Sequence, residues 1–278
     1  MSKIDLTSPV VKWVGGKRQL LERLMPLFPE TYTSYCEPFI GGGAVLFALQ
    51  PQKAIVNDIN SELIGVYRAI KDDVESLIKR LAQFENTKEC FYEVRGWDRN
   101  AEFYNQLTDI DKAARVIFLN KTCYNGLYRV NSAGEFNTPF GRYKNPNIVN
   151  ESTLRAVNEY FNTADVTILN TSYSEAVQGL PENSFVYLDP PYDPISVTAS
   201  FTGYNAGGFS REDQIALRDC CRQLDAAGIK FMLSNSATEF IQEIYSDFNV
   251  TIVPAKRAIN SVGSKRGCVD EVVVRNYE

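Results

Sequence analysis

The sequence predicts an α/β fold: a mostly parallel sheet covered by helices on both faces. Three observations predict it. Short apolar runs at 35–39, 54–57, 166–169, 185–188 and 230–233 alternate with stretches of helical periodicity. The first run leads into Gly41-Gly42-Gly43 and an apolar helix, and the second ends on Asp58, a β–loop–α–β–acid unit. The last two runs, 250–253 and 269–274, are joined by a loop with no clear helix, so they are expected to pair antiparallel.

Taken in order, Leu20, Leu21, Leu24 and Met25 give residues 16–25 helical spacing. Residues 44–49 form the helix after the glycines. A long helix is expected over 61–84, because Leu63, Ile64, Tyr67, Ile70, Val74, Leu77, Ile78, Leu81 and Phe84 share one face. Helical patterns continue to about 121, and a polar stretch rich in Gly and Asn covers 124–146. Ser210 with Asp213 three residues on is a helix start; the face is Leu217, Cys220, Cys221 and Leu224, and Gly228 ends it. The block 60–160 interrupts the strand–helix rhythm. It is expected to be an inserted, mainly helical subdomain, with 1–59 and 161–278 forming the main domain.

Composition narrows the chemistry. The chain has 278 residues, enough for one large domain with an insertion. There is no histidine, which excludes Ser-His-Asp and Cys-His catalysis and histidine-based zinc sites; no metal site is expected. The six cysteines, Cys36, Cys90, Cys123, Cys220, Cys221 and Cys268, form no Cys-x-x-Cys pair and suit reduced thiols. No apolar run is long enough for a membrane span, and no secretory signal is visible, so a cytoplasmic location is expected. The net charge of −5 does not favour a nucleic-acid partner, although a local basic cleft would suffice for one.

Four segments carry chemistry. Three glycines after a strand let the backbone approach a ligand at a helix N-terminus, and an acid ending the next strand can accept hydrogen bonds from ribose hydroxyls. The spacing suits a nucleoside and is neither Gly-x-Gly-x-x-Gly nor a P-loop; a tight turn with a capping Asp58 is the bland alternative. Asp189-Pro190-Pro191-Tyr192 follows the strand 185–188, so it sits where open α/β sheets bind ligands. A carboxylate and a proline carbonyl aimed the same way can accept both hydrogens of an amino group, drawing its lone pair out of ring conjugation. Tyr192 offers a face on which a flat base can stack. A rigid strand exit is the plain alternative. Lys12-Trp13-Val14-Gly15-Gly16-Lys17-Arg18 places an aromatic, a turn and basic residues before the first helix. Lys17 can neutralise a carboxylate, while Trp13 alone suits a core. In 120–144, Lys121, Arg129, Arg142 and Lys144 are interleaved with Tyr124, Tyr128, Phe136, Phe140 and Tyr143. Arg reads guanine and Asn reads adenine, so this mixture fits base-edge recognition, or else a solvated hairpin.

In this order, the four segments resemble the Dam family of adenine-specific DNA methyltransferases, nearest to its DpnM-like modification enzymes. The resemblance runs from Lys12-Trp13 through Glu37-Pro38-Phe39, Gly41-Gly42-Gly43, Asn57-Asp58-x-Asn60 and Tyr124-Asn-Gly-Leu-Tyr-Arg129 to Asp189-Pro-Pro-Tyr192 and the last strands. It implies a Rossmann-like sheet binding S-adenosyl-L-methionine (AdoMet), with the inserted, mainly helical subdomain serving target recognition. It assigns AdoMet contacts to Trp13, Lys17, Glu37, Pro38, Phe39, Gly41, Gly42, Gly43, Asp58 and Asp189. Asp189, Pro190, Pro191 and Tyr192 become the catalytic motif for a flipped adenine. Lys12, Tyr124, Asn125, Leu127, Arg129, Asn131, Pro139, Arg142 and Tyr143 become contacts to double-stranded DNA, with Arg129 the guanine reader. The implied target is GATC, methylated at adenine N6 by direct transfer. The enzyme would be a restriction–modification methylase, with a cognate endonuclease acting on the same site, or a solitary Dam-type methylase. Residues 193–209, rich in Gly, Ser and Thr, are expected to act as a lid. Residues 98–111 carry no legible motif. Cytosine N4, RNA or a protein glutamine remain alternative acceptors. A nicotinamide-dependent oxidoreductase and a non-catalytic DNA-binding module remain alternatives from other classes.

Overall fold

In the computed structural model, which describes residues 4, 6–195, 208–256 and 268–278, the apolar runs pair into one seven-stranded sheet. The strands are β1 (Tyr35–Glu37), β2 (Lys53–Asn57), β3 (Asp165–Leu169), β4 (Phe185–Leu188), β5 (Lys230–Ser236), β6 (Asn249–Lys256) and β7 (Cys268–Arg275). Their order across the sheet is β3-β2-β1-β4-β5-β7-β6. The β3-β2-β1-β4-β5 ladder is parallel, and β7 runs antiparallel to both β5 and β6. The chain winds outward from β1 to β2 and β3, then returns to β4 on the other side of β1. That reversal opens a crevice at the carboxyl ends of β1 and β4, the usual ligand position in open α/β sheets.

Side chains along each strand alternate between two cores. Tyr35, Phe185, Tyr187, Met232 and Val273 enter one; Cys36, Val186, Leu188, Phe231, Leu233, Val272 and Val274 enter the other. Burying both faces requires near-continuous apolar strands, as their sequences show. Each such side chain contributes about 1.5–3 kcal/mol by leaving water.

The helices are α1 (Leu21–Leu24), α2 (Ala44–Leu49), α3 (Ser61–Asp72), α4 (Val74–Leu81), α5 (Lys88–Arg95), α6 (Ala101–Gln106), α7 (Asp109–Thr122), α8 (Glu151–Thr163), α9 (Tyr173–Ala176), α10 (Arg211–Ala226) and α11 (Glu239–Ile244). The expected long helix 61–84 is two helices. Asp73 leaves helical space at φ −152°, and its side chain caps α4 by accepting from the Ser76 N–H at 3.0 Å. The apolar stripe crosses this break without interruption, so periodicity alone did not reveal it. The expected helix 16–25 is a 3-10 turn (Lys17–Gln19), the short α1 and a second 3-10 turn (Met25–Leu27). Pro26 has no N–H with which to continue an α-helix. The strand expected at 35–39 stops at Glu37 because Pro38 cannot donate to the ladder; the Asn57 amide takes the Pro38 carbonyl at 3.0 Å.

The Ser210 cap is as expected, a full capping box with Asp213 opening α10, whose Leu217, Cys220, Cys221 and Leu224 are buried. Cys36, Cys90, Cys123, Cys220 and Cys221 are unpaired thiols. Among the described residues, no helix is long and apolar enough to cross a membrane.

Candidate active site

β1 delivers Glu37, and β4 delivers Asp189, to the crevice. Glu37 is 2% exposed, and its Oε2 accepts from the Tyr35 hydroxyl at 2.7 Å. Burial pushes its carboxyl up to about 8 against the Tyr35 hydrogen bond, with Asp189 and Asp58 adding repulsion. Asp189 meets the Lys17 ammonium at 2.8 Å. Burial raises the Asp189 carboxyl to about 6; Lys17 pulls it down and Glu271 pushes it up. Lys17 is 4% exposed. It also donates to the Gly15 carbonyl at 2.8 Å and lies 4.5 Å above the Tyr192 ring.

The glycine loop closes the crevice from the β2 side. Asp58 Oδ2 accepts the Gly41 N–H at 3.1 Å and Oδ1 accepts the Asn60 N–H at 3.0 Å, which locks the carboxylate against the loop. Burial raises the Asp58 carboxyl. The Tyr67 hydroxyl donates to the Gly41 carbonyl at 2.7 Å. A Cβ on Gly41 would lie 3.1 Å from Trp13 Cδ1, so the indole covers the loop only because residue 41 has no side chain. Gly43, at φ +73°, starts α2 in a left-handed conformation.

At the exit of β4, Tyr192 donates its hydroxyl to Glu271 at 2.7 Å, and burial raises the phenol. The Pro191 carbonyl accepts from Gln214 at 2.8 Å. Asp193 is 2% exposed. It is held by Asn235, Thr238 and Arg211 at 3.0, 2.8 and 3.2 Å.

The polar stretch 124–146 folds back on itself. The Val130–Phe136 and Cys123–Phe140 bridges pair its two arms, and the Tyr124 N–H bonds the Pro139 carbonyl at 2.8 Å. Tyr124, Asn125, Arg129, Pro139, Arg142, Tyr143 and Lys12 are exposed; Leu127 and Asn131 are half-buried. Asn125 and Arg142 have positive φ, 58° and 56°. For arginine this is uncommon, and such conformations gather at functional sites. The Asn131 amide closes the turn, bonding Glu135 Oε2 at 2.8 Å and the Ala133 and Glu135 N–H groups at 3.0 Å.

One crevice lining thus brings together Lys17, Glu37, Gly41, Gly42 and Asp189. The other residues assigned to the cofactor are not in this lining: Pro38 is buried, Phe39 stacks on Tyr173 at 5.4 Å, Trp13 stacks on Tyr128 at 4.8 Å, and Gly43 and Asp58 sit at the adjoining loop. Most of the expected lid, 196–207, lies outside the described residues.

Several residues that hold the site and the hairpin in place escaped the sequence. Asn120, 2% exposed, bonds both the N–H and the carbonyl of Lys12 at 2.8 Å, and the Gly126 carbonyl at 3.1 Å. It ties the start of the chain to the 124–126 turn. A buried Asn on an apolar helix face was the signal. Residues 98–111, without a legible motif, support the hairpin. Asp98 accepts the Phe136 N–H at 2.8 Å and pairs with Arg115 at 2.5 Å, and Arg99 donates to the Phe136 carbonyl at 2.6 Å. Gln214, Asn235 and Glu271 had no local signal.

Residues 13–259 match the family model described as D12 class N6 adenine-specific DNA methyltransferase. The type II methyltransferase M1.LlaDCHI of Lactococcus lactis subsp. cremoris is 46% identical over 278 residues, covering 99% of this chain and 97% of the relative. M.MjaIII of Methanocaldococcus jannaschii is 42% identical over 97% of this chain and 99% of its own. The DNA adenine methylase of Escherichia coli strain K12 is 32% identical over 95% of this chain and 93% of its own. With a sheet that presents Asp-Pro-Pro-Tyr at its switch point and relatives matched along nearly their whole length, the chain belongs to the D12 class of N6 adenine-specific DNA methyltransferases.

Proposed function

We propose that this enzyme moves the methyl group of AdoMet to N6 of an adenine flipped out of duplex DNA, with GATC as the target. The observation that carries the reading is Asp189: a carboxylate at the end of β4, 18% exposed and paired with Lys17, in a crevice whose polar groups suit that cofactor. Lys17 suits an α-carboxylate, Glu37 an α-ammonium, and Asp58 keeps lone pairs for ribose hydroxyls. The bare Gly41 lets the Trp13 indole lie against the loop, 3.1 Å from where a Cβ would stand. Trp13, Pro38, Phe39, Gly42 and Gly43 complete the proposed cofactor set. When bound, AdoMet supplies an electrophilic methyl group on a sulfonium.

The chain's own residues do the rest. Asp189 and the Pro190 carbonyl accept the two hydrogens of the adenine amino group, so its lone pair is freed to attack in line. Asp189, with its pKa at about 6, is mainly ionised at neutral pH and can take the proton released. Tyr192 gives the base a stacking face, fixed by its bond to Glu271. Pro191 has its carbonyl engaged elsewhere and serves to stiffen the motif. Most of the gain comes from proximity and alignment.

The inserted block 60–160 is proposed as the target-recognition subdomain. Its exposed Tyr124, Asn125, Arg129, Pro139, Arg142 and Tyr143, with Lys12, Leu127 and Asn131, form the DNA-facing set. Arg129 is the guanine reader; its Nε rests on Asn137 at 2.7 Å. Two relatives carry type II names, which supports a restriction–modification setting with a cognate endonuclease, in the cytoplasm. The alternative is a solitary methylase, as the name of the Escherichia coli relative suggests.

The deciding experiment offers labelled AdoMet with two duplexes that differ only in GATC against GTTC. Label on adenine of the first alone supports the whole reading. Equal labelling of both keeps the reaction but removes the assigned target. No labelling of either, with AdoMet still bound, overturns the DNA acceptor.

A further inference from the structure

Two consecutive prolines leave the Asp189–Tyr192 loop with no N–H at 190 and 191, so its backbone must be held from outside. Gln214 does this. Its Nε2 donates to the Pro191 carbonyl at 2.8 Å, and its Oε1 accepts from Asn235 Nδ2 at 3.0 Å. Asn235 Oδ1 in turn accepts the N–H groups of Asp193 at 3.0 Å and Ser236 at 2.8 Å. Gln214 is 1% exposed and Asn235 is fully buried. Each buried amide therefore has one end bound to the other amide and its other end bound to backbone, which fixes the orientation of both. α10 anchors the device, because Gln214 lies in its first turn, directly after the Ser210–Asp213 capping box. Among the described residues, no donor reaches the Pro190 carbonyl.

We propose that Gln214, oriented by Asn235, is a positioning residue for methyl transfer. By occupying the Pro191 carbonyl it turns the loop so that the Pro190 carbonyl, next to Asp189, is the acceptor left facing the substrate amino group. This rests on the reading of Asp189 and Pro190 given above. It adds the selection of one proline carbonyl over the other by residues remote in sequence.

The test compares Gln214→Leu, Gln214→Glu and Asp189→Ala in the full chain, by single-turnover methylation of a GATC duplex, AdoMet affinity and DNA affinity. Gln214→Leu removes the donor at similar size. It should slow transfer by about 100-fold, the scale of an ångström-sized misalignment, with both affinities unchanged. In Gln214→Glu, a protonated carboxyl can still donate to the Pro191 carbonyl, whereas an ionised one faces it with two acceptors. The ratio of its rate to that of the wild type should therefore rise as pH falls, a recovery that a merely structural role would not produce. Wild-type transfer by Gln214→Leu beside an inactive Asp189→Ala overturns the inference and leaves the proposed function standing. Loss of AdoMet affinity in Gln214→Leu together with a flat ratio in Gln214→Glu also overturns it, reducing Gln214 to scaffold. Normal transfer by Asp189→Ala would remove the reading itself, and the inference with it.

Discussion

The crevice between β1 and β4 and the 124–146 hairpin are built by opposite means. The crevice holds its charges inside the protein: Glu37 and Lys17 in its lining, and Asp193 at the exit of β4, are almost wholly buried, and each is paired. The hairpin shows water Arg129, Arg142, Lys144, Tyr124 (58% exposed) and Tyr143 (41%), while Tyr128 and Phe136 anchor it in the core and its backbone is held from beneath by Asp98, Arg99 and Asn120. The difference teaches what each region needs. A reacting group gains from burial, where fixed dipoles and charges act strongly and water cannot compete. The hairpin, as the proposed reading surface, has to stay open, so its precision has to come from the scaffold behind it.

Four measurements break or sharpen that contrast. The largest effect is expected at the crevice. Asp189→Ala should lower single-turnover methylation by roughly 1,000-fold with DNA affinity intact, the scale of losing a positioned proton acceptor. A parallel loss of DNA affinity would mean that crevice and hairpin are not separable. At the hairpin, Arg129→Ala should cost about 1–3 kcal/mol and relax discrimination at one base pair only, read by methylating duplexes substituted at each position. Uniform weakening across all sequences would make Arg129 a phosphate contact.

The third measurement is a pH dependence that belongs to the crevice. Glu37 and Asp189 are both raised on folding, so the protonated forms favour the native state. That contribution is complete below the ordinary carboxyl values and is lost as pH rises through about 6 for Asp189 and about 8 for Glu37. Cofactor-free Glu37→Gln should therefore gain in Tm relative to wild type as pH climbs from 5 toward 9, on the order of a few degrees. Activity runs the other way: kcat/KM should climb with pH through about 6 as Asp189 ionises. A Tm gap that closes with rising pH would show that Glu37 is stabilised as the anion. The smallest effect is expected at the rim of the hairpin, where Lys144→Ala should lower the salt slope of DNA binding by about 1 if it meets a phosphate. An unaltered slope would place Lys144 off the DNA.

What the sequence determined by itself was whatever depends on neighbours in the chain. Asp189-Pro190-Pro191-Tyr192 after an apolar strand, three glycines before a helix, and an acid ending the next strand are each local patterns, and each lies where it was expected. The absence of histidine removed whole classes of mechanism without any structure. Strand identity and the antiparallel end of the sheet were also legible, because period and connection length constrain them. The break at Asp73 was not, since a cap formed by one side chain leaves the apolar stripe unchanged. Only the tertiary structure decided which groups meet across the fold. Lys17 reaches Asp189, Glu271 holds Tyr192, Gln214 holds Pro191, Asn120 grips Lys12, and Asp98 supports Phe136. The physical reason is common to all five. A buried polar atom must find a partner wherever the packing brings one, and sequence spacing carries no record of that distance.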